Sequence, residues 1–72
     1  MDHKEFANFL AKLKQIKISN ARFAEFMDYN PTTISHYASG KKPIPQVLAM
    51  AVKGLQFKEQ IGIDLRNILK DE

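Results

Sequence analysis

Cysteine is absent from this chain of 72 residues, which excludes disulfide frameworks and thiolate metal sites. A secreted domain of this size usually needs disulfides, so their absence favours an intracellular, cytoplasmic location. No apolar run approaches the length of about 18 residues that a membrane span needs, and the first residues lack the pattern of a signal peptide. We therefore expect a soluble protein with no membrane association.

Glycine and proline are scarce, with three residues of each, and no segment alternates polar and apolar residues as a half-buried strand does. Internal repeats, low-complexity tracts and long linkers are also missing. The hydrophobic fraction, 44%, is ordinary for a globular protein. The chain therefore predicts one all-α domain over residues 1–72, a compact bundle of four to five short helices.

Capping residues and apolar side chains at helical spacing predict the first two helices. Asp2 followed by Glu5 resembles a capping box and starts a helix over about residues 3–14. Ser19 is a good N-cap for a second helix over about residues 20–27. The inward positions of these two helices are predicted to be Phe6, Phe9, Leu10, Leu13, Phe23, Ala24 and Met27.

A third helix is predicted between a strong start signal and a strong stop signal. Asn30 can cap free amides, and Pro31 has no amide to leave unsatisfied at the first helical position. Gly40 readily adopts the left-handed conformation that ends a helix, and Pro43 soon after it prevents continuation. This helix should contain about eight residues, 31–38.

Two apolar stripes follow the prolines at positions 43 and 45. The first predicts a fourth helix, the most buried of the set, with Gly54 close to its C-terminus. The second predicts a fifth amphipathic segment, which Gly62 weakens by about 1 kcal/mol relative to alanine. The first stripe, interpreted as core, contains Val47, Leu48, Ala51, Val52 and Leu55, and the second contains Phe57, Ile61, Leu65, Ile68 and Leu69.

The second stripe is open to two interpretations. A four-helix core already accounts for much of the packing, so a leftover apolar face favours a partner. We expect residues 57–72 to form a dimerisation helix of a homodimer, with packing inside the chain as the alternative. The side chains expected at the dimer interface are Phe57, Ile61, Leu65 and Ile68.

Positive charge is concentrated in the middle of the chain. The formal net charge is +3 at pH 7. Residues 12–42 contain six lysines and arginines against Glu25 and Asp28, a balance of +4, whereas the two flanking segments together carry −1. A polyanionic partner would prefer this middle segment.

The third helix is predicted to have one apolar face and one polar face. At about 100° per residue, Ile34 and Ala38 lie opposite a polar arc, with Tyr37 beside them. The arc lacks the Glu and Lys usual on a solvated helix, and its hydroxyl and imidazole groups can hydrogen-bond base edges. Because only residues 28–30 separate the second and third helices, the two must cross steeply, as in a helix-turn-helix. The arc consists of Thr32, Ser35, His36 and Ser39.

The segment from Ser19 to Lys42 resembles the helix-turn-helix of the Cro and lambda-repressor-like DNA-binding family. It departs from the family pattern at Asp28, where a turn glycine is usual, and at Ala38, where a glutamate is usual. Aspartate tolerates left-handed geometry better than most residues, so we expect the turn to survive. The tail from Phe57 matches nothing specific. The positions that match the family are Ser19, Ala24, Ile34, Ser35, Tyr37, Gly40 and Lys41.

The resemblance implies a homodimeric transcriptional repressor of phage or bacterial type that binds a pseudo-palindromic operator in double-stranded DNA. Its third helix would read the major groove, and repression would follow from blocking polymerase at an overlapping promoter. By position in the family motif, base contacts are expected from Thr32, Ser35, His36, Pro31 and Asn30. Phosphate contacts are expected from Asn20, Thr33, Ser39, Lys41 and Lys42.

Other functions find less support in the residues. The alternative is a protein-interaction module, such as the antitoxin of a toxin pair, in which the tail docks a partner and DNA binding is autoregulatory or absent. A metal site would have to combine His36 with His3 and carboxylates, since cysteine is absent. No nucleophile with a base, glycine-rich phosphate loop or carboxylate pair can be traced, so we expect no enzyme, cofactor or small-molecule substrate.

Overall fold

Five α-helices form the fold in the computed structural model, which describes residues 1–69. That part of the chain contains no strand, so the all-α fold class predicted from the sequence is confirmed. None of its helices is both long and apolar enough to cross a bilayer. The helices are α1 (His3–Gln15), α2 (Asn20–Phe26), α3 (Pro31–Ser39), α4 (Gln46–Gln60) and α5 (Arg66–Leu69).

The first three helices begin at side chains that cap free backbone amides. The Asp2 carboxylate accepts a hydrogen bond from the Glu5 N–H at 2.8 Å. The Ser19 hydroxyl accepts one from the Arg22 N–H at 3.1 Å, and the Asn30 side chain caps α3 in the same way. Each cap satisfies an amide that has no partner inside its helix, so the predicted starts of these helices are confirmed.

The first four helices end in a common motif, in which a residue with left-handed backbone follows the last turn. The next residue donates its N–H to a carbonyl five positions earlier, as in a Schellman motif. Glycine adopts this backbone without strain, and Gly40 ends α3 as predicted. The four left-handed residues are Lys17 (φ 71°), Asp28 (φ 62°), Gly40 (φ 85°) and Gly62 (φ 96°).

The core lies where α1 packs against α2, α3 and α4, with α5 folded back onto α2. A row of aromatic rings links the first three helices. Phe9 contacts Phe23 with ring centroids 5.7 Å apart. Phe6 contacts both Phe23, at 6.3 Å, and Tyr37, at 6.4 Å. The largest fully buried side chains are Phe6, Phe9, Phe23, Leu13, Ile34, Leu48, Leu65, Leu69 and Val52.

α4 differs from the prediction in its length and in its buried face. It continues beyond Gly54 to Gln60, because Gly54 keeps helical backbone and Gly62 is the glycine that turns left-handed. Val47, predicted to lie in the core, is 77% exposed. It lies about 100° around the helix from Leu48, which is fully buried, and so it faces solvent. The buried residues of α4 are Leu48, Ala49, Val52 and Leu55.

The amphipathic segment predicted from Phe57 onwards does not form one helix. Phe57 lies in α4, the chain turns at Gly62, and α5 contains only four residues. The left-handed backbone of Gly62 ends α4 and reverses the chain. Positions 70–72 of the helix predicted over 57–72 lie outside the described residues.

The side chains predicted to form a dimer interface are split between the core and the surface. Leu65 is 2% exposed and Ile68 packs partly buried against the core of the same chain. Phe57 and Ile61 are each 60% exposed. The turn at the end of α4 explains the split, because it sends residues after position 62 back towards α2. The alternative of packing inside the chain therefore holds for Leu65 and Ile68.

Candidate nucleic-acid interface

α3 carries the surface predicted to read DNA, and the core anchors the helix from one side. Ile34 is completely buried and Tyr37 is 9% exposed. Ala38 packs partly buried against the same core. These three residues share the inner face, which agrees with the predicted amphipathic pattern. α3 therefore presents its opposite face to solvent.

Aromatic contacts hold α3 from two directions. The Tyr37 ring meets the Phe6 ring of α1 edge-on, with centroids 6.4 Å apart. It also meets the ring of Tyr29, in the turn before α3, at 6.1 Å. Contacts of this kind contribute about 0.5–1.5 kcal/mol each beyond simple burial. The orientation of α3 is thereby tied both to α1 and to the turn.

The turn between α2 and α3 forms without the glycine that is usual in the family it resembles. Asp28 takes left-handed backbone, with φ 62°. The Tyr29 N–H then donates to the Ala24 carbonyl at 2.7 Å, and Asn30 caps α3. Aspartate adopts left-handed backbone at a lower cost than most residues. The turn expected at this position is therefore formed.

Short polar side chains cover the outer face of α3. Thr32 and Ser35 are exposed, and His36 is half-buried. Within residues 1–69, none of these three side chains makes a hydrogen bond to the protein. Their hydroxyl and imidazole groups are therefore available to a partner. Pro31, at the first position of the helix, is also exposed.

Two other predicted contact residues already use part of their hydrogen-bonding capacity. The Asn30 amide oxygen accepts from the Thr32 N–H at 2.8 Å, which leaves the amide nitrogen as its donor. The Ser39 hydroxyl donates to the His36 carbonyl at 3.2 Å, so its single hydrogen is engaged. Thr33 is half-buried. Asn30 thus retains a donor for a nucleic acid, whereas Ser39 retains only acceptor capacity.

Asn20, expected to contact a phosphate, lies at the first position of α2 and is half-buried. Its amide oxygen is buried and accepts no hydrogen bond from the other described residues. Phosphate oxygens accept hydrogen bonds, so only the amide nitrogen of this side chain can bind one. The predicted contact of the Asn20 side chain therefore depends on Nδ2 alone.

Four exposed lysines flank the two helices. Lys41 and Lys42 follow α3 directly, whereas Lys14 and Lys17 line a shallow depression at the entrance to α2. None of the four forms an ion pair with another described residue. Residues 29–58 contain no Asp or Glu. Exposed carboxylates from outside that range do lie near α3, because Glu25 and Asp28 line a depression with Pro31, and Asp2 lines another with Lys42. The four lysines outnumber these three carboxylates.

The sequence-based prediction counted Lys14 and Lys17 in the net charge of the middle segment, but it did not place them near the helix-turn-helix. The Schellman turn at Lys17 brings them there, because it folds the end of α1 against the start of α2. The available signal was the basic run over residues 12–17 immediately before the cap of α2. Arg22, in contrast, pairs with Glu25 on the next turn of α2.

Neither of the two histidines considered as metal ligands, His3 and His36, belongs to a cluster of possible metal ligands among the described residues. No group of three or more His, Asp or Glu side chains that could hold a metal ion is found within residues 1–69. The His3 ring lies against the loop after α3, where its Cγ is 3.1 Å from the position a Cβ would take at Gly40. This close approach and the positive φ both favour glycine at position 40, because any other residue would strain the backbone and displace the His3 ring.

No family model, curated protein or solved structure matches the chain. The resemblance to the Cro and lambda-repressor-like family therefore rests on the motif between Ser19 and Lys42. The case for any function depends on the exposed face of α3 and on the lysines around it.

Proposed function

We propose that the chain is a sequence-specific DNA-binding transcriptional regulator of the cytoplasm, a Cro-like repressor whose α3 reads the major groove. The observation that carries the proposal is the outer face of α3. There, Thr32, Ser35 and His36 have no hydrogen-bond partner among the described residues, and the core holds the helix rigidly from behind. Side chains of this kind on a protruding helix can recognise base edges and thymine methyl groups.

The charges around α3 support an anionic partner. Lys41 and Lys42 can bind phosphates next to the recognition helix, and Lys14 and Lys17 can do so near α2. Asn20 joins this group through Nδ2. Contacts to phosphates position a protein on the duplex, whereas the residues of α3 would supply the choice of bases.

The length of α3 supports binding by two copies. Nine residues at 1.5 Å each give a helix of about 13 Å, which spans about four base pairs. Half-sites that face the same side of the duplex lie about 34 Å apart, beyond the 31 Å longest extent of the described residues. A homodimer on a pseudo-palindromic operator would read both, and would repress by blocking polymerase at an overlapping promoter.

Selection of bound duplexes from a random-sequence library, at two salt concentrations, tests the proposal. We expect Thr32→Ala, Ser35→Ala and His36→Ala to change the preferred base at particular positions, each reducing affinity for the wild-type site by about 5- to 150-fold. Lys41→Ala and Lys42→Ala should weaken binding to all sequences alike and reduce the salt slope by about 1 each.

Lys53→Ala, tested on a half-site duplex, is the matched control, because Lys53 is an exposed lysine of α4 and α4 packs against neither α2 nor α3. It should leave the base preference unchanged and the affinity nearly so. Equal losses on every duplex for the α3 variants and the lysine variants would contradict the assignment of roles. A purified chain that binds no duplex at either salt concentration would overturn the proposal and favour the protein-interaction module instead.

A further inference from the structure

α4 is apolar on two opposite faces, and residues 1–69 cover only one of them. Leu48, Val52 and Leu55 form the face that packs into the core. The second face carries large apolar side chains with exposures of 60–77%. A helix with apolar residues on opposite sides usually has a neighbour on each. The second face, here called the α4 stripe, consists of Val47, Met50, Gly54, Phe57 and Ile61.

The spacing of the α4 stripe is that of a helix-packing surface. Its members follow one another at intervals of three and four residues, which places them within an arc of about 80°. That arc lies on the side of the helix opposite the buried stripe. Exposed Lys53 and Lys58 border it, as polar residues border the apolar centre of an interface.

The α4 stripe is nearly symmetric about Gly54. Val47 lies seven residues before this glycine and Ile61 seven after it, while Met50 and Phe57 lie four before and three after. A second α4 crossing antiparallel at Gly54 would set Val47 against the partner's Ile61 and Met50 against the partner's Phe57. An interface with two-fold symmetry requires this kind of self-complementary surface.

Gly54 also allows the two helices to approach closely at the crossing point. Apart from the adjacent residues and the backbone of its own helix, no atom of the described residues lies within 4 Å of a Cβ built at this position, so their packing does not require glycine there. Glycine in a helix interior lowers stability by about 0.5–1 kcal/mol relative to alanine. The close approach of a second helix explains a glycine at position 54, whereas the packing of the described residues does not.

We infer that the α4 stripe is the interface of an antiparallel homodimer with Gly54 at its two-fold axis. The choice of a second copy as the occupant rests on the proposed function, because one α3 spans only part of an operator. This interface replaces the one predicted from the sequence. It keeps Phe57 and Ile61 but excludes Leu65 and Ile68, which the core already covers.

The size of the α4 stripe indicates a dimer of moderate strength. From Val47 to Ile61 it extends about 21 Å along the helix. Stable interfaces bury about 1,200–2,000 Å² in total, and a single contact between two helices of this length lies at the lower end. The free dimer should dissociate at about micromolar concentrations, and two half-sites on one duplex should stabilise it further.

Sedimentation equilibrium over a range of concentrations tests the interface with charged variants. Met50→Lys and Phe57→Lys should raise the dissociation constant of the dimer at least tenfold. Gln60→Lys is the matched control, since it adds the same charge to an exposed position of α4 outside the stripe. Circular dichroism should show all three variants folded, because Met50 and Phe57 are largely exposed.

Introduced cysteines test the position of the two-fold axis, since the chain has no cysteine of its own. Gly54→Cys should form a disulfide-linked dimer when the thiol oxidant diamide is added, because Cα atoms at the crossing can approach within about 7 Å. Gln60→Cys should not, because two antiparallel copies hold these positions about 18 Å apart. Efficient cross-linking of Gln60→Cys, without that of Gly54→Cys, would overturn the antiparallel arrangement.

Binding to a half-site duplex and to the full operator separates this inference from the proposed function. The stripe variants should keep the affinity and base preference for a half-site, and lose at least tenfold in affinity for the full operator. A wild-type chain that stays monomeric at all concentrations and on the full operator would overturn the interface. If Phe57→Lys abolishes the dimer but no duplex binds, the interface stands and the proposed function fails.

Discussion

Among the described residues, two positions combine a side chain with left-handed backbone, Lys17 and Asp28. That conformation costs an ordinary L-residue about 1–2 kcal/mol, and aspartate somewhat less. Both positions end a helix through a Schellman motif, where glycine would be free of strain. Asp28 matters more for the proposed function, because it lies in the turn between α2 and α3 and so sets the direction of the proposed recognition helix.

Asp28→Gly should raise the free energy of unfolding by about 1 kcal/mol, since glycine relieves the backbone strain at φ 62°. Asp28→Ala should lower it by a similar amount, because alanine tolerates this conformation less well than aspartate. Thermal unfolding followed by circular dichroism would show shifts of about 4–8 °C in opposite directions. Both variants remove the same negative charge, so equal unfolding temperatures would contradict left-handed backbone at position 28.

At the scale of the element, two helices begin at a carboxylate. Asp2 accepts the Glu5 N–H at the start of α1, and Asp64 accepts the Arg66 N–H at 2.9 Å before α5. The hydrogen bond from Glu5 lowers the pKa of Asp2 below its ordinary 3.8. The guanidinium and then the amide of Arg66 lower the pKa of Asp64 in the same way. Both helix starts therefore favour the charged carboxylate.

Acid should weaken both helix starts. The carboxyl groups of Asp2 and Asp64 bind a proton less tightly in the folded state than in the unfolded state. The stability that the two charged carboxylates contribute is therefore complete above pH 3.8 and is lost as the pH falls through the lowered pKa values. Urea unfolding between pH 6 and pH 2.5 would measure this loss. The variant with both Asp2→Asn and Asp64→Asn keeps the acceptors without their titration, so it should show a shallower decline. An identical decline would contradict the pKa shifts.

At the scale of the whole molecule, residues 65–69 of the tail contribute to the core. α5 contains only four residues, yet Leu65 is 2% exposed and Leu69 is fully buried, and the element packs against α2. α2 in turn packs against α3. Through α2, α5 therefore supports α3, the proposed recognition helix, and a domain this small depends on each such contact for its stability.

Leu69→Ala should lower the free energy of unfolding by about 2–5 kcal/mol, because it removes a fully buried side chain and leaves a cavity against α2. Ile63→Ala is the control, since Ile63 is 41% exposed and should lose less than about 1 kcal/mol. Urea denaturation of both variants would measure the difference. Equal stability of the two variants would mean that the tail does not pack as described.

The sequence alone was sufficient wherever the deciding interactions are local. The starts of α1, α2 and α3 depend on side chains that cap amides two or three residues away, and the end of α3 depends on the backbone freedom of Gly40. The two faces of α3 follow from the same short-range periodicity, so the pattern of residues 31–39 is enough to separate its outward polar side chains from its buried ones.

Tertiary structure decided what depends on contacts between distant segments. Both faces of α4 are apolar, so periodicity could not show that Leu48 would be buried in the core and that Val47 would face solvent. Likewise, only the return of the chain after Gly62 placed Leu65 inside the core and left Phe57 outside it. Whether a side chain is buried depends on the residues that surround it in the folded protein, and a linear pattern does not specify those residues.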